Sequence, residues 1–316
     1  MSSVLIAEPS EPLYLNSFCI GYRLHEANSF EPDFIKHLLR SSPLRRQIVG
    51  TANGVTRFNV SKPRLAKGRV PIPPLEVQRE IVRVVNLFLS LEAELEAELE
   101  ARRRQYAHYR DALVSIDIAG EWATLDDVCK AVRSGSTPLA TRAEYYGGAI
   151  PWLRTQEVRY ADVVDTDTRI TDAGLANSAA NWIPANSVIV AISGAGVTRG
   201  RVAINKIPLT TNQHCCSLVI DPAKAHYRFV YHWLTRQYDD LRSRGQGNRS
   251  DLNMGIVKAY PIPLPTMDEQ ERIAALLDRF DALVNDLSSG LPAELAARRK
   301  QYEHYRNKLL TFEEAV

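Results

Sequence analysis

The sequence is short of cysteine. Cys19, Cys129, Cys215 and Cys216 are the four in 316 residues, with no CxxC spacing and no paired metal-ligand spacing. That excludes a disulfide scaffold and a thiolate zinc site, and it points to a reduced, cytosolic protein with no metal. No stretch of 18 apolar residues occurs, and no basic segment followed by an apolar one opens the chain. Neither a membrane span nor an export signal is expected. Net charge is only +2, so the chain is not an arm that holds nucleic acid by bulk charge. It lacks a GxxxxGKS or GxxxxGKT loop, and Gly194-Ala195-Gly196 and Gly245-Gln246-Gly247 are lone GxG triplets. An ATP-driven motor and a dinucleotide-binding unit are therefore excluded. The seven histidines show no HExxH or other metal spacing, and no catalytic apparatus is found.

What is present is a long heptad pattern that occurs twice. From Leu75 to Ile116 the seam positions are Ile81, Val85, Phe88, Leu95, Leu99, Tyr106, Tyr109, Leu113 and Ile116, interrupted only at Glu92 and Arg102. A stripe repeating every 3.5 residues must lie against another helix. Helical throughout, such a rod is about 63 Å long, too extended to form a core alone. Its partner is the second copy, Thr266 to Phe312. PIPPLEVQREI (Pro71 to Ile81) returns as PLPTMDEQERI (Pro263 to Ile273), offset by 192. RRRQYAHYR (Arg102 to Arg110) returns as RRKQYEHYR (Arg298 to Arg306), offset by 196. Four residues are thus inserted between these anchors, and Ser288 to Pro292 is the expected place. There the stutter, Gly290 and Pro292 break the second helix.

The rods are predicted to pack antiparallel, with Ile81, Val85, Phe88, Tyr106, Tyr109, Ile273, Leu277, Phe280, Tyr302 and Tyr305 as the inter-helix and partner positions. LEAELEAELE (Leu91 to Glu100) reads as an acidic exterior of the rod. His108 and His304 hold equivalent rod positions and read as helix-face residues.

Between and before the rods the chain reads as β-rich. Val4 to Ala7 and Leu15 to Leu24 read as strands. Phe30 to Val49 reads as one or two helices, entered near Pro32 and interrupted near Pro43, and Gly50 to Leu65 as a polar loop. Glu121 to Val132 reads as a short strand and helix, with Asp126 and Asp127 on its surface. Glu144 to Val158 carries a Gly-Gly turn into an aromatic strand. Ser187 to Asn205 reads as strand, glycine loop and strand, Thr210 to Ile220 as a strand, and Tyr227 to Arg244 as a helix. The repeat extends here too. NSFC (Asn16 to Cys19) matches NQHC (Asn212 to Cys215), which suggests buried strand thiols, and VLIA (Val4 to Ala7) matches VIVA (Val188 to Ala191). About 70 residues precede the latter match in the second copy and three in the first. The expected organisation is a partial domain over 1–70, a long helix over 71–117, a complete domain over 118–260, and a second helix over 261–316.

The polar loops of the complete domain hold the residue types that read duplex DNA. Arg, Asn, Gln, Ser and Thr hydrogen-bond base edges, and arginine's fork suits phosphate or guanine. The candidates are Arg133, Ser136, Thr137, Arg154, Arg199, Arg201, Arg242, Arg244, Gln246, Asn248, Arg249 and Ser250.

SGSTP (Ser134 to Pro138), YYGGAIPWLRTQEV (Tyr145 to Val158), GQGNRSDLN (Gly245 to Asn253), PLPTMDEQERIAALLDRFDAL (Pro263 to Leu283) and RRKQYEHYRNKLLTF (Arg298 to Phe312) occur in one order. In these stretches the chain resembles the specificity subunit of type I restriction-modification systems. The resemblance implies an α+β fold in which β-rich target-recognition domains are joined by two long helices forming an antiparallel coiled coil. It implies a non-catalytic subunit in which each domain reads half of a split DNA sequence. Its partners would be double-stranded DNA, modification subunits docked on the helices and, through the complex, restriction subunits. S-adenosylmethionine, adenine methylation and ATP would then belong to those subunits and not to this chain.

The departure from the family pattern is the first domain, whose N-terminal part is expected either as a separate piece, encoded nearby or lost by gene truncation, or ahead of a start codon assigned too late. Two other readings stay open: a half-site reader that forms homodimers, and a degenerate scaffold without DNA recognition of its own.

Overall fold

The computed structural model describes residues 14–16, 19–21, 29–53, 59–115, 120–194, 197–246, 251–285 and 289–312. The expected strand Val4 to Ala7, much of Leu15 to Leu24, Ile116 and Ser288 lie outside them. In chain order the elements begin with helices α1 (Pro32–Arg40) and α2 (Ser42–Gly50), then the short strands β1 (Ala52–Asn53) and β2 (Asn59–Val60). Helix α3 (Lys62–Leu65) and the long α4 (Leu75–Leu113) follow. Next come β3 (Glu121–Thr124), β4 (Cys129–Ser134), β5 (Tyr146–Leu153), β6 (Asp162–Val163), β7 (Arg169–Ile170) and helix α5 (Asp172–Ala176). Strands β8 (Val188–Ala191), β9 (Val202–Asn205), β10 (Thr210–Thr211) and β11 (Cys215–Ile220) lead to helices α6 (Tyr227–Arg236), α7 (Tyr238–Ser243) and α8 (Met254–Lys258). Strand β12 (Pro261–Leu264), α9 (Met267–Asn285) and α10 (Gly290–Leu309) complete the series. The chain divides into two units, Met1–Arg102 with Leu283–Val316, and Arg103–Ala282.

In the first unit α4 and α10 run antiparallel, and the seam sets the order of contacts. Ile81 and Val85 share an apolar cluster with Phe34, Leu38, Leu44 and Leu310. One turn on, Phe88 stacks on Tyr305 at 5.5 Å and tilts against Tyr302 at 6.4 Å. Beyond that, Arg299 pairs with Glu92 at 2.7 Å and with Glu96. As numbers rise along α4 they fall along α10. Glu92 and Glu96 thus bridge the helices, and the acidic run is not purely an exterior. Glu92 interrupts the apolar seam because its position receives Arg299.

The second unit holds the β-structure. Its main sheet has the order β4-β11-β8-β9-β6, antiparallel except for β6 beside β9. Val188 to Ala191 and Val202 to Asn205 are buried at every position. Apolar at every position but Asn205, these runs suit strands covered on both faces, and α6 packs against β8 and β9. A second sheet has the order β10-β5-β7, and β12 pairs with β3. Along the helices Tyr109 stacks on Phe280 at 5.2 Å, and buried Tyr106 bonds to Asp281. Ile273 and Leu277 are buried.

Several local expectations are corrected. Glu121 to Val132 forms two strands joined by a turn, not a strand and a helix. Pairing of β3 with β12 and of β4 with β11 overrides the helical composition. Asp126 and Asp127 sit on that turn, where Asp127 accepts from the Thr124 N–H and hydroxyl. Gly147 and Gly148 lie inside β5 at a register shift, not at a turn before it. Gly50 to Leu65 includes the antiparallel pair β1 and β2 and helix α3. Cys19 is exposed whereas Cys215 is buried. Strands β4 and β8 flank Cys215 on β11, and among the described residues no strand flanks Cys19.

The repeat reaches further than the rods. Phe34 to Arg40 in α1 corresponds to Phe229 to Thr235 in α6, offset by 195. His37 meets Asn86 at 3.0 Å, and its counterpart His232 meets Asp278 at 2.7 Å. In the second unit the charged Asp278 also takes Arg228 at 3.1 Å, and Arg228 in turn takes Asp162 at 2.7 and 3.0 Å.

Candidate nucleic-acid interface

Strand register decides which loops meet. Ser134 at the end of β4 lies opposite Cys216, which lies opposite Val190 near the end of β8, and Val190 lies opposite Val202 at the start of β9. The turn after β4, the turn before β11 and the loop from β8 to β9 therefore emerge at one end of the sheet. Two further segments are tied to that end. The Leu252 N–H donates to the Ile192 carbonyl at 2.9 Å. The Asn212 N–H donates to the Leu153 carbonyl at 3.0 Å, which brings in the segment starting at Arg154.

The turn after β4 is laced to β10. The Ser136 N–H donates to the Thr211 carbonyl at 3.0 Å, and the Ser136 carbonyl accepts from the Trp152 indole at 3.0 Å. A Cβ on Gly135 would stand 1.8 Å from the Thr211 oxygen; the approach admits only glycine. Exposed Arg133 donates to the Trp182 carbonyl at 3.1 Å. The Thr137 hydroxyl donates to the Gln213 side-chain oxygen. Arg154 lies near Glu157, which accepts from the Arg154 N–H at 3.0 Å and from the Asp167 N–H at 2.8 Å. Its guanidinium sits 3.6 Å from Glu157 and 3.9 Å from Asp167.

The loop from β8 to β9 and helix α7 form an arginine and tyrosine cluster. Arg201 lies over the Tyr160 ring at 5.7 Å, Arg242 over the Tyr238 ring at 5.8 Å, and the two rings meet edge to face at 6.2 Å. The Tyr238 hydroxyl donates to the Val197 carbonyl at 2.9 Å. Gly200, at φ +87°, places Arg199 and Arg201 on either side of it; a Cβ there would press on the Tyr238 ring at 3.3 Å. Tyr160 itself adopts φ +59°, a rare conformation for a bulky residue. Its N–H donates to the Val202 carbonyl at 2.9 Å. Burial, and then the neighbouring Tyr238, raise its hydroxyl well above the ordinary range. Arg199, Arg242, Asp239, Ser243 and Gly245 line one shallow recess.

Arg244 is differently placed: it pairs with Asp240 at 3.0 Å and lies over the Tyr260 ring at 4.6 Å. The Gln246 N–H bonds to the Asp251 carbonyl at 2.9 Å. Asn248, Arg249 and Ser250 lie outside the described residues. Register thus brings Arg133, Ser136, Thr137, Arg154, Arg199 and Arg201 to one end of the sheet, with the segment holding Gln246 attached there. The tyrosine pair brings Arg242 to Arg199 and Arg201.

Three participants were not singled out from sequence. Tyr160 and Tyr238 carry no signal beyond being aromatic near polar loops. Gln213 was legible: it stands inside the NQHC block, between residues that recur in the other copy. Among the described residues, no three His, Cys, Asp or Glu side chains converge as a metal site, and no helix is long and apolar enough to cross a membrane.

Comparison with known proteins supplies the family. The E. coli type I restriction enzyme EcoR124I/EcoR124II specificity subunit is 34% identical over 257 residues, which span 77% of this chain and 63% of that protein. A putative type I restriction enzyme specificity subunit of Haemophilus influenzae is 27% identical over 281 residues, spanning 82% of this chain and 68% of the other. The chain thus covers about two thirds of the length of these relatives. Among solved structures, the HsdS subunit from Thermoanaerobacter tengcongensis matches with a TM-score of 0.55 at 18% identity, covering 90% of this chain and 70% of that one. A chain from a type I restriction-modification complex matches with a TM-score of 0.63 at 19% identity, covering 90% and 72%. At these identities the likeness speaks to fold alone. The family profile for the type I restriction modification DNA specificity domain matches residues 3–101 and 120–297, most of the sequence, and the chain belongs to that family.

Proposed function

We propose that this chain is the DNA-recognition subunit of a type I restriction-modification complex and that its residues 118–260 form a domain reading one half of a bipartite target. The observation that supports this reading most is the convergence of three loops, with two further segments tied to them, at one end of a single sheet. Those loops present arginine, serine, threonine and glutamine, the types that contact phosphates and base edges. In this reading Arg199, Arg201 and Arg242 track the phosphate backbone, and Ser136, Thr137 and Gln246 lie toward the bases with Arg133, Arg154, Asn248, Arg249 and Ser250. Arg244, held by Asp240 and Tyr260, fixes the backbone that leads to Gln246.

Residues 1–70 would be part of a first recognition domain. The helices over 71–117 and 261–316 would fix the spacing of the half-sites and dock the modification subunits, and restriction subunits would join through the complex. Val77, Leu87 and Leu91 are exposed on α4, and such apolar side chains would be available to that docking. Catalysis, S-adenosylmethionine and ATP then reside on those partners.

The test is methylation-sensitive sequencing of a genome in which the chain is expressed with its modification subunits. A defined methylated motif is expected, with its loss when Arg199, Arg201 and Arg242 are replaced together by alanine. Methylation of an unchanged motif by that triple variant would overturn the assignment of the DNA-facing surface.

A further inference from the structure

One backbone hydrogen bond recurs in both copies of the repeat, within the NSFC and NQHC blocks. The Cys19 N–H donates to the Asn16 carbonyl at 3.1 Å, and the Cys215 N–H donates to the Asn212 carbonyl at 3.3 Å. The flanking asparagine and cysteine recur, so they are the frame. The two central residues do not recur: Ser17-Phe18 in one copy, Gln213-His214 in the other. Two copies that read different half-sites must share a scaffold and differ where bases are met.

In the second copy the frame is rigid. Asn212 is buried, and its side-chain oxygen accepts from the Thr155 hydroxyl at 3.1 Å and from the His214 N–H at 3.2 Å. The Gln213 carbonyl accepts from the Ser134 hydroxyl at 3.2 Å. Cys215 begins strand β11, which lies between β4 and β8. On this fixed backbone the Gln213 side chain is exposed at the sheet end where the candidate loops meet. Its own oxygen accepts from the Thr137 hydroxyl, and its nitrogen lies 3.4 Å from His214 Nε2.

A carboxamide oxygen has two lone pairs and the nitrogen two hydrogens. Thr137 uses one lone pair and thereby sets which way the amide faces. The other lone pair and an N–H stay available side by side, the pattern that pairs with adenine N6 and N7 in the major groove.

We infer that Gln213 is a specificity-determining residue that reads an adenine in the target half-site, with Thr137 as the positioning residue that orients its amide. This rests on the DNA-reading function proposed above. The experiment uses the full chain assembled with its modification subunits and a randomised duplex DNA library, with the selected sequences read by sequencing.

The wild-type complex is expected to hold one A·T position that Gln213→Ala relaxes by about tenfold or more while every other position keeps its preference. Gln213→Glu, which keeps the shape but loses the donor, is expected to move that position toward cytosine, whose N4 amine a carboxylate accepts. Thr137→Val is expected to weaken discrimination at the same position and nowhere else, an effect that mere structural support would not localise. Retained positions within each variant show that the complex has assembled. Unchanged discrimination in Gln213→Ala, or relaxation at a G·C position, would overturn the adenine assignment. A wild-type complex that selects no motif would instead overturn the DNA-reading function beneath it.

Discussion

Phe88 stacks on Tyr305 at 5.5 Å with their planes 19° apart, and the repeat returns the same contact as Phe280 on Tyr109 at 5.2 Å and 24°. Each pair joins the start of one rod copy to the end of the other, so the antiparallel seam is written twice with exchanged roles. Aromatic stacking adds about 0.5–1.5 kcal/mol beyond area burial. Phe88→Ala is therefore expected to cost about 1–3 kcal/mol in urea unfolding. A double-mutant cycle with Tyr305→Ala should show coupling. Additive losses would mean that the two rings merely lie close.

Gln78 and Gln270 are both buried and make matching bonds. The Gln78 side-chain oxygen accepts from the Glu31 N–H at 2.9 Å and its nitrogen donates to the Pro73 carbonyl at 2.8 Å. The Gln270 oxygen accepts from the His226 N–H at 2.9 Å and its nitrogen donates to the Pro265 carbonyl at 2.9 Å. Each glutamine thereby satisfies the N–H that opens a helix and a carbonyl of the proline segment leading into a rod. Replacing either by leucine orphans those backbone groups, at about 1–3 kcal/mol for each one left buried. Unfolding midpoints of Gln78→Leu and Gln270→Leu should both fall. A variant as stable as wild type would show that water reaches the orphaned groups.

The sequence disclosed the rods, their pairing and the break between α9 and α10, because heptad spacing, proline and glycine act locally. It also disclosed which loops were rich in arginine. It did not disclose the turn at Asp126 and Asp127, where pairing with β11 and β12 outweighs helical composition. Nor did it show that Arg201 and Arg242 are held by Tyr160 and Tyr238. Those two tyrosines are 78 residues apart, and only the packing of α7 near the start of β9 brings them together. The match of α1 to α6 was present in the letters, but it was obscured because one offset changes to another across the loops.

Acid should weaken the first unit through His37. Burial, aided by Lys36 and Arg40 and opposed by Asn86 and Asp33, lowers its pKa from the ordinary 6.5. The folded state then binds fewer protons than the unfolded one. Its contribution to stability is full above the unfolded pKa and is lost as pH falls through the folded value. Urea midpoints should drop on acidification below about 6.5, and His37→Gln should flatten that dependence. Asn86→Asp, which copies the arrangement at His232, should shift the dependence the opposite way by favouring the imidazolium. A profile identical in all three proteins would remove His37 from the acid response.

The thiols should divide by environment. Burial pushes Cys129, Cys215 and Cys216 up to about 12, and the last two are enclosed in β11 between β4 and β8. Cys19 is exposed. Since the thiolate is the reactive form, a disulfide reagent at mildly alkaline pH should modify one thiol of the native chain quickly. Cys19→Ser should abolish that phase. Two fast equivalents in the native protein would place a second cysteine at the surface.

The arginine cluster makes a prediction that separates phosphate contacts from base contacts. Arg201 and Arg242 lie over the Tyr160 and Tyr238 rings, and Arg199 shares a shallow recess with Arg242, an open arrangement that suits a backbone track. Each phosphate contact releases condensed counterions, so losing one should reduce the slope of log affinity against log salt by about 0.9 on duplex DNA. In the assembled complex, Arg199→Ala and Arg242→Ala should each weaken cognate and unrelated duplexes alike and flatten the salt dependence by about that amount. Arg244→Ala removes the pair with Asp240 and the contact with Tyr260, so it should lower thermal stability and leave the salt slope unchanged. If Arg199→Ala instead relaxes preference at a single base pair with the slope intact, that side chain reads a base edge and the phosphate track lies elsewhere on the domain.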